Sequence, residues 1–357
     1  MYKASELELN KLLAITLERN ASDLHLNVGE PPILRIDSQL RRLEDYQVLS
    51  SDAISDLVSV LLTPEQKKRL EEVKQLDFSY SYKDNARFRV NIYQAQTVWN
   101  AAFRLIPTQI KTMEELNLPP MLKQFTQNKQ GLVLVVGPTG HGKSTALASM
   151  INEINLTRAE HILTIEDPVE FLFQHRESFI SQREVGQDVH SFEAALKSAL
   201  REDINVVLVG EMRDLESISA TLTLAETGHL IFATMHTNDA AQSIDRIVDV
   251  FPGDQQGQIR SQLANTLLGV VSLRLLPKVG GGRIPAYEIM VVNHAVRNVI
   301  RDNKIFEISN IIHTSMESGM VPLDKTLANL VKQGMVELDI AQNFVLDKDY
   351  FASLLGS

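Results

Sequence analysis

Four apolar runs of strand length, Leu132 to Val136, Ile162 to Ile165, Val206 to Val209 and Leu230 to Ala233, punctuate the middle of the chain. Each is nearly continuous instead of alternating, as in strands buried on both faces. Helical stretches separate them: in SFEAALKSALRED, the residues Phe192, Ala195, Leu196, Ala199 and Leu200 share one face at helical spacing. Such an alternation predicts a mostly parallel sheet covered on both sides, an α/β fold, over residues 121–357. Past Ala295 the pattern turns helical and predicts a C-terminal helical subdomain.

The first part of the chain reads differently. Residues 1–106 mix helical pieces with strand-like pieces and short turns, as in GEPPILRIDSQLRRL and FSYSYKDNARFRVNIYQAQ, and predict a small α+β domain. Within it, RFRVN puts Arg87 and Arg89 on one side of a strand and Phe88 and Val90 on the other. Residues 107–120, with Pro107, Pro119, Pro120 and little apolar content, have the composition of an interdomain linker.

Composition narrows the partners. With 357 residues the chain suits two domains, each able to bury a core. It has no cysteine, which excludes disulfides, thiolate metal sites and cysteine nucleophiles and fits a reducing compartment, with the cytoplasm as default. Acidic residues outnumber basic ones by 45 to 35, so the overall field repels nucleic acid and anionic lipid. Nucleic acid is not expected as a partner. The start MYKASELELNKLL lacks the basic and apolar regions of a signal peptide. No apolar run approaches the roughly 18 to 20 residues of a membrane span. One of the best, Leu267 to Leu276, is broken by Arg274. The expectation is a soluble or peripheral protein.

The strongest chemical signal is GPTGHGKST, Gly137 to Thr145, lying between the strand GLVLVV and the helix STALASMINEI. Gly, four residues, then Gly-Lys-Ser in a strand-to-helix context is a phosphate loop. Gly140 and Gly142 let successive amides face phosphate oxygens, and the helix N-terminus adds its dipole. Lys143 is placed to reach the β and γ oxygens and Ser144 to ligate Mg2+. Residues Gly137, Pro138, Thr139, Gly140, His141, Gly142, Lys143, Ser144 and Thr145 are thus the nucleotide-binding candidates. His141 is expected to sit exposed at the loop tip. A guanine-reading Asn-Lys-x-Asp element is missing downstream; the sole Asn-Lys-Gln begins upstream, at Asn128, and Gly131 follows it.

In an open parallel sheet, ligands bind beyond the carboxyl ends of the strands. HILTI is followed there by Glu166, Asp167 and Glu170, VVLVG by Glu211, and LIFAT by His236. Triphosphate hydrolysis asks one carboxylate to position or deprotonate water and another acid to hold the magnesium shell. Each acid also has a plain structural reading: Asp167 as a turn residue before Pro168, Glu211 as a partner of Arg213 or Arg260. His229 and His236 are seven residues apart along an extended segment, so they face opposite sides and do not make a metal pair. At a strand end His236 suits sensing of the γ-phosphate through the acids; at the strand's start His229 suits packing or a subunit contact. Arg87, Arg89 and Arg104 could deliver charge to a transferring phosphoryl group, or simply form a solvated basic face.

Together these motifs resemble the secretion-type ATPase superfamily, and most closely the type IV pilus retraction ATPases, the PilT family. The resemblance spans nearly the whole chain: ASDLHL at 21–26, the Walker A loop, HILTIEDPVEF as the Asp box, LVGEMRD as Walker B, ETGHLIFATMHT as the His box, and AVRNVIRD at 295–302, similar to AIRNLIRE. It implies a PAS-like N-terminal domain, a RecA-like motor that hydrolyses ATP with Mg2+, and the nucleotide between them. It also implies a cytoplasmic homohexameric ring that depolymerises the pilus from its base, peripheral to the inner membrane and working with the pilus platform protein there. By the same resemblance Glu170 is the catalytic glutamate and Glu211 the Walker B glutamate near magnesium through water; Glu166, from its place at a strand end, is a further catalytic candidate. His229 and His236 are the His-box pair, with His229 coupling subunits, and Arg89 and Arg104 approach the nucleotide. The chain departs from the family at Thr97-Val98, where relatives carry Arg-Gly, and at Asn205, where aspartate is usual. The first departure puts a third arginine contact in doubt, with Arg87 the nearest substitute.

Overall fold

A computed structural model describes residues 2–36, 39–83, 86–106 and 109–356; Pro107, in the expected linker, lies outside these. The chain divides into two compact units, Met1–Gln109 with Pro168–Leu172, and Ile110–Asp167 with Phe173–Ser357. The second unit therefore begins inside the stretch that reads as a linker. The physical reason is Met113, which is buried among the core residues Leu122, Phe125 and Met150 despite its polar neighbours.

The first unit holds six strands: β1 (Asp23–Leu26), β2 (Ile33–Ile36), β3 (Gln39–Arg42), β4 (Gln75–Tyr82), β5 (Ala86–Ala95) and β6 (Val98–Ile106). They form one antiparallel sheet in the order β3-β2-β1-β6-β5-β4. The helices Tyr2–Glu18 and Ser51–Ser59 contribute Leu9, Leu13, Ile54 and Leu57 to a core shared with Phe88, Val90 and Phe103. Strand β5 alternates as its sequence demands, with Phe88 and Val90 buried and Arg87 and Arg89 half-exposed. The β5–β6 hairpin turns on Gln96 and Thr97, both in the left-handed region at φ 50° and 67°. Two consecutive positive φ values match the twist of a two-residue hairpin. The departure at Thr97 thus falls on a turn residue.

The second unit holds β7 (Gly131–Val136), β8 (His161–Glu166), β9 (Phe179–Glu184), β10 (Val206–Val209), β11 (Leu230–Met235), β12 (Leu267–Pro277) and β13 (Arg283–Val291). Their order is β13-β12-β7-β11-β10-β8-β9. All neighbours run parallel except β13, which returns antiparallel beside β12. Strand β7 explains the unbroken apolar runs: Leu132, Leu134 and Val136 join the core on one face, while Val133 and Val135 join the other. Both faces are dry, so no position can be polar. The helix Phe192–Ala199 buries Ala195, Leu196 and Ala199, but Leu200 caps its end and is exposed, contrary to its assignment to the apolar face. C-terminal helices pack Leu323, Leu327 and Phe351 on Leu276 and Ile284 of the β12–β13 hairpin.

Candidate active site

Parallel strands end on one rim, and the phosphate loop occupies it. After β7 the chain passes Gly137 at φ 141° and reaches Gly142 at φ 85°, which opens the helix Lys143–Thr157. A side chain on Gly137 would lie 2.5 Å from the carbonyl oxygen of Leu273, so this position needs both the left-handed backbone and the missing Cβ. Ser144 and Thr145 lie half-buried in the first helical turn, where amides and dipole favour an anion. His141 is half-buried instead of exposed. Its Nδ1 accepts a hydrogen bond from the Leu275 amide at 3.0 Å, and its ring meets Phe344 edge to face. Burial, with Arg274, Lys143 and Arg283 nearby, pushes its pKa down.

Lys143 is buried, and its Nζ donates to the carbonyls of Gly137 at 2.8 Å and Pro138 at 3.1 Å. That ammonium also lies 3.4 Å from Nδ1 of His236. An ammonium has only donors, so Nδ1 is the acceptor. The other nitrogen, Nε2, lies 3.2 Å from Oε1 of Glu211 and directs its N–H at the carboxylate. One imidazole therefore spans the phosphate-loop lysine and the Walker B glutamate. Thr139 Oγ1 lies 3.3 Å from the same Nδ1.

Glu211 also pairs with Arg213 at 2.6 Å, the partner that its plain structural reading names. Burial pushes the Glu211 carboxyl up, yet the Arg213 hydrogen bond and the His236 imidazole outweigh it and hold the carboxyl below the ordinary range. Glu166, at the end of β8, is buried and accepts from Thr164 Oγ1 at 2.8 Å. The next turn is pressed against it, since the Gly210 amide bonds the Ile165 carbonyl at 2.8 Å. His229 lies at the far end of β11, its Nδ1 3.0 Å from the Leu224 carbonyl at the close of the helix Leu215–Glu226.

The structure brings Lys143 and Glu211 each within hydrogen-bonding reach of His236, which lies between them. Glu170, Arg89 and Arg104 belong to the first unit; Glu170 does so through the segment Pro168–Leu172, although Asp167 belongs to the second. Arg89 and Arg104 are cross-strand neighbours, and Asp23 pairs with Arg104 at 2.9 Å and Arg35 at 3.7 Å. Arg87 lies two residues along the same strand and donates to Ser79. Sequence reading passed over Arg274, Asn238 and Glu288, which back the site. The signal was present: Arg274 is the one charge inside the apolar run of β12.

A family model described as Type II/IV secretion system protein matches residues 4–340. The chain is 44% identical to the type IV pilus retraction ATPase PilT of Pseudomonas aeruginosa, over 94% of this chain and 97% of that one. It is 45% identical to a twitching motility protein of Neisseria gonorrhoeae, over 87% of this chain and 83% of that one. A solved structure of the pilus retraction motor PilT with bound ADP is 43% identical, with a TM-score of 0.89 over 96% of this chain and 98% of that one. Fold, loop and likeness make this chain a P-loop ATPase with a RecA-like core. It belongs to the Type II/IV secretion system protein family and, within that family, to the PilT-type pilus retraction ATPases.

Proposed function

We propose that this chain powers type IV pilus retraction by hydrolysing magnesium-bound ATP at the rim formed by residues 137–145, Glu211 and His236. The observation that carries the reading is the imidazole of His236 between Lys143 and Glu211, at 3.4 and 3.2 Å. Lys143 and the loop amides hold the β and γ phosphates. His236 registers the γ-phosphate through these two neighbours, because any movement of Lys143 toward the phosphates changes its hydrogen bond to Nδ1. Glu170 positions or deprotonates the attacking water, and Glu166 supports the rim as a buried acid. Arg89 and Arg104 supply positive charge to the phosphates during turnover.

The donors available for Mg2+ are hard oxygens, the Ser144 hydroxyl and the Glu211 carboxylate, which suit that cation. Ser144 would bind it directly and Glu211 through water; when bound, the ion neutralises phosphate charge. The working form is a homohexameric ring in which His229 couples neighbours. It docks from the cytoplasm on the pilus platform protein at the inner membrane. No described helix is long and apolar enough to cross a membrane, which favours peripheral attachment.

The test is ATP turnover by Glu170→Gln. This variant is expected to bind nucleotide normally and turn over at least tenfold slower; normal turnover removes Glu170 from the role. Mass measurement with ATP present should find six chains, and a monomer hydrolysing at the full rate would contradict the ring.

A further inference from the structure

Strand β12 is held between two functional loops. Its backbone meets the phosphate loop, since the Leu275 amide donates to His141 at 3.0 Å and the Leu273 carbonyl lies against the backbone of Gly137. Its alternate side chains, Ser272 and Arg274, turn instead to Asn238, two residues past His236. Arg274 Nη2 donates to the Asn238 carbonyl at 2.8 Å and lies 3.3 Å from its Oδ1, and Ser272 Oγ donates to the same carbonyl at 2.6 Å. Arg274 Nη1 donates to the Leu273 carbonyl at 2.9 Å.

Arg274 is 7% exposed. Burying a guanidinium is costly, and burial pulls its pKa down although the charges of Glu288 and Asp239 oppose the shift. Its donors go to the Asn238 carbonyl and to the Leu273 carbonyl of β12, which lies against Gly137. Ordinary packing does not need an arginine here. A fork whose two nitrogens reach different carbonyls does, because its planar geometry fixes their separation. The adjoining β13 extends the support: Glu288 Oε1 accepts from the Ala240 amide at 3.0 Å, where the helix Ala240–Asp249 begins.

We infer that Arg274 is a positioning residue for hydrolysis: it ties residues 237–239 to β12, the strand whose backbone meets the phosphate loop, and so sets His236 against Lys143 and Glu211. This rests on the role proposed above for His236. Lys143 bonds the Gly137 and Pro138 carbonyls directly and not through Arg274, so nucleotide capture and turnover should separate.

The test uses the full chain with Arg274→Met. Expected are a kcat at least tenfold lower, a KM for ATP within threefold, and faster amide hydrogen exchange at 237–240 with unchanged exchange in 143–157. Arg274→Met combined with His236→Ala should be no slower than His236→Ala alone, because both act through the imidazole. Unchanged kcat, a parallel loss of nucleotide affinity, or multiplying defects in the double variant overturns the inference. If Arg274→Met does not fold, Ser272→Ala removes one of the same bonds and should show the same split with a smaller loss; a Ser272→Ala enzyme identical to wild type then counts against the bracket. A His236→Ala enzyme with normal kcat sinks the role of His236 by itself, and the exchange measurement then decides whether Arg274 still orders the loop.

Discussion

His236 reaches Glu211 from the neighbouring parallel strand, Nε2 to Oε1 at 3.2 Å. Both residues lie just beyond the ends of β10 and β11, which run side by side in register. Glu211→Gln keeps the shape but removes the charge that His236 and Arg213 face. ATP turnover is expected to fall at least tenfold, with a higher magnesium concentration needed for half-maximal rate. Because its carboxyl is held below the ordinary range, Glu211 stays ionised above that range, and the wild-type rate between pH 6 and 8 should not follow its titration. A rate titration at several magnesium concentrations checks both points.

Gly137→Ala forces a Cβ to 2.5 Å from the Leu273 carbonyl at φ 141°. The backbone strain is about 1–3 kcal/mol before the clash is counted. The loop must shift away from β12, so nucleotide affinity should drop steeply while the rest of the sheet survives. Titration with a fluorescent ADP analogue and a thermal melt separate the two effects. Unaltered affinity would refute the tight approach.

Glu288 carries a pH signature. Its burial raises the carboxyl from 4.5 to about 7, against the opposing bond from the Ala240 amide. A raised acid binds its proton more tightly folded than unfolded, so its contribution is fully present below about 4.5 and lost as pH rises through about 7. Glu288→Gln should therefore gain stability relative to wild type above pH 7, by on the order of 3 kcal/mol at most, and little near pH 5. Urea melts at the two pH values are the measurement, and a pH-independent difference would be the wrong outcome.

Asp23 holds Arg104 and Arg35 on the first unit's sheet. Asp23→Ala leaves two guanidiniums unneutralised on β2 and β6, the strands that flank β1. Since Arg104 is largely exposed, the stability loss should be only about 1 kcal/mol. If Arg104 serves the phosphates, kcat should fall by much more than that loss suggests. A small change in both quantities would leave Asp23 a purely structural residue.

Much of this was legible beforehand for a local reason. Strands buried on both faces must be uniformly apolar, so the runs at 132–136 and 206–209 announced a covered parallel sheet. A phosphate loop needs glycines and a lysine within nine residues, so Gly137 to Thr145 was readable as a unit. The strand-end rule then pointed to Glu166, Glu211 and His236, because parallel strands share a rim. Leu200 was misplaced because periodicity does not mark where a helix stops. Met113 was hidden in a polar stretch because burial depends on neighbours far along the chain.

The sequence by itself determined the alternation of elements, the loop and the acids at its rim, since each follows from spacing within one short segment. Only the tertiary structure decided that His236 bridges Lys143 and Glu211, that His141 is tied to Leu275, and that Arg274 joins Asn238 to the strand behind the loop. Those contacts link residues dozens to more than a hundred positions apart. They depend on which strands are neighbours in the sheet, and that order is set by packing of the whole unit and is not written in any local pattern.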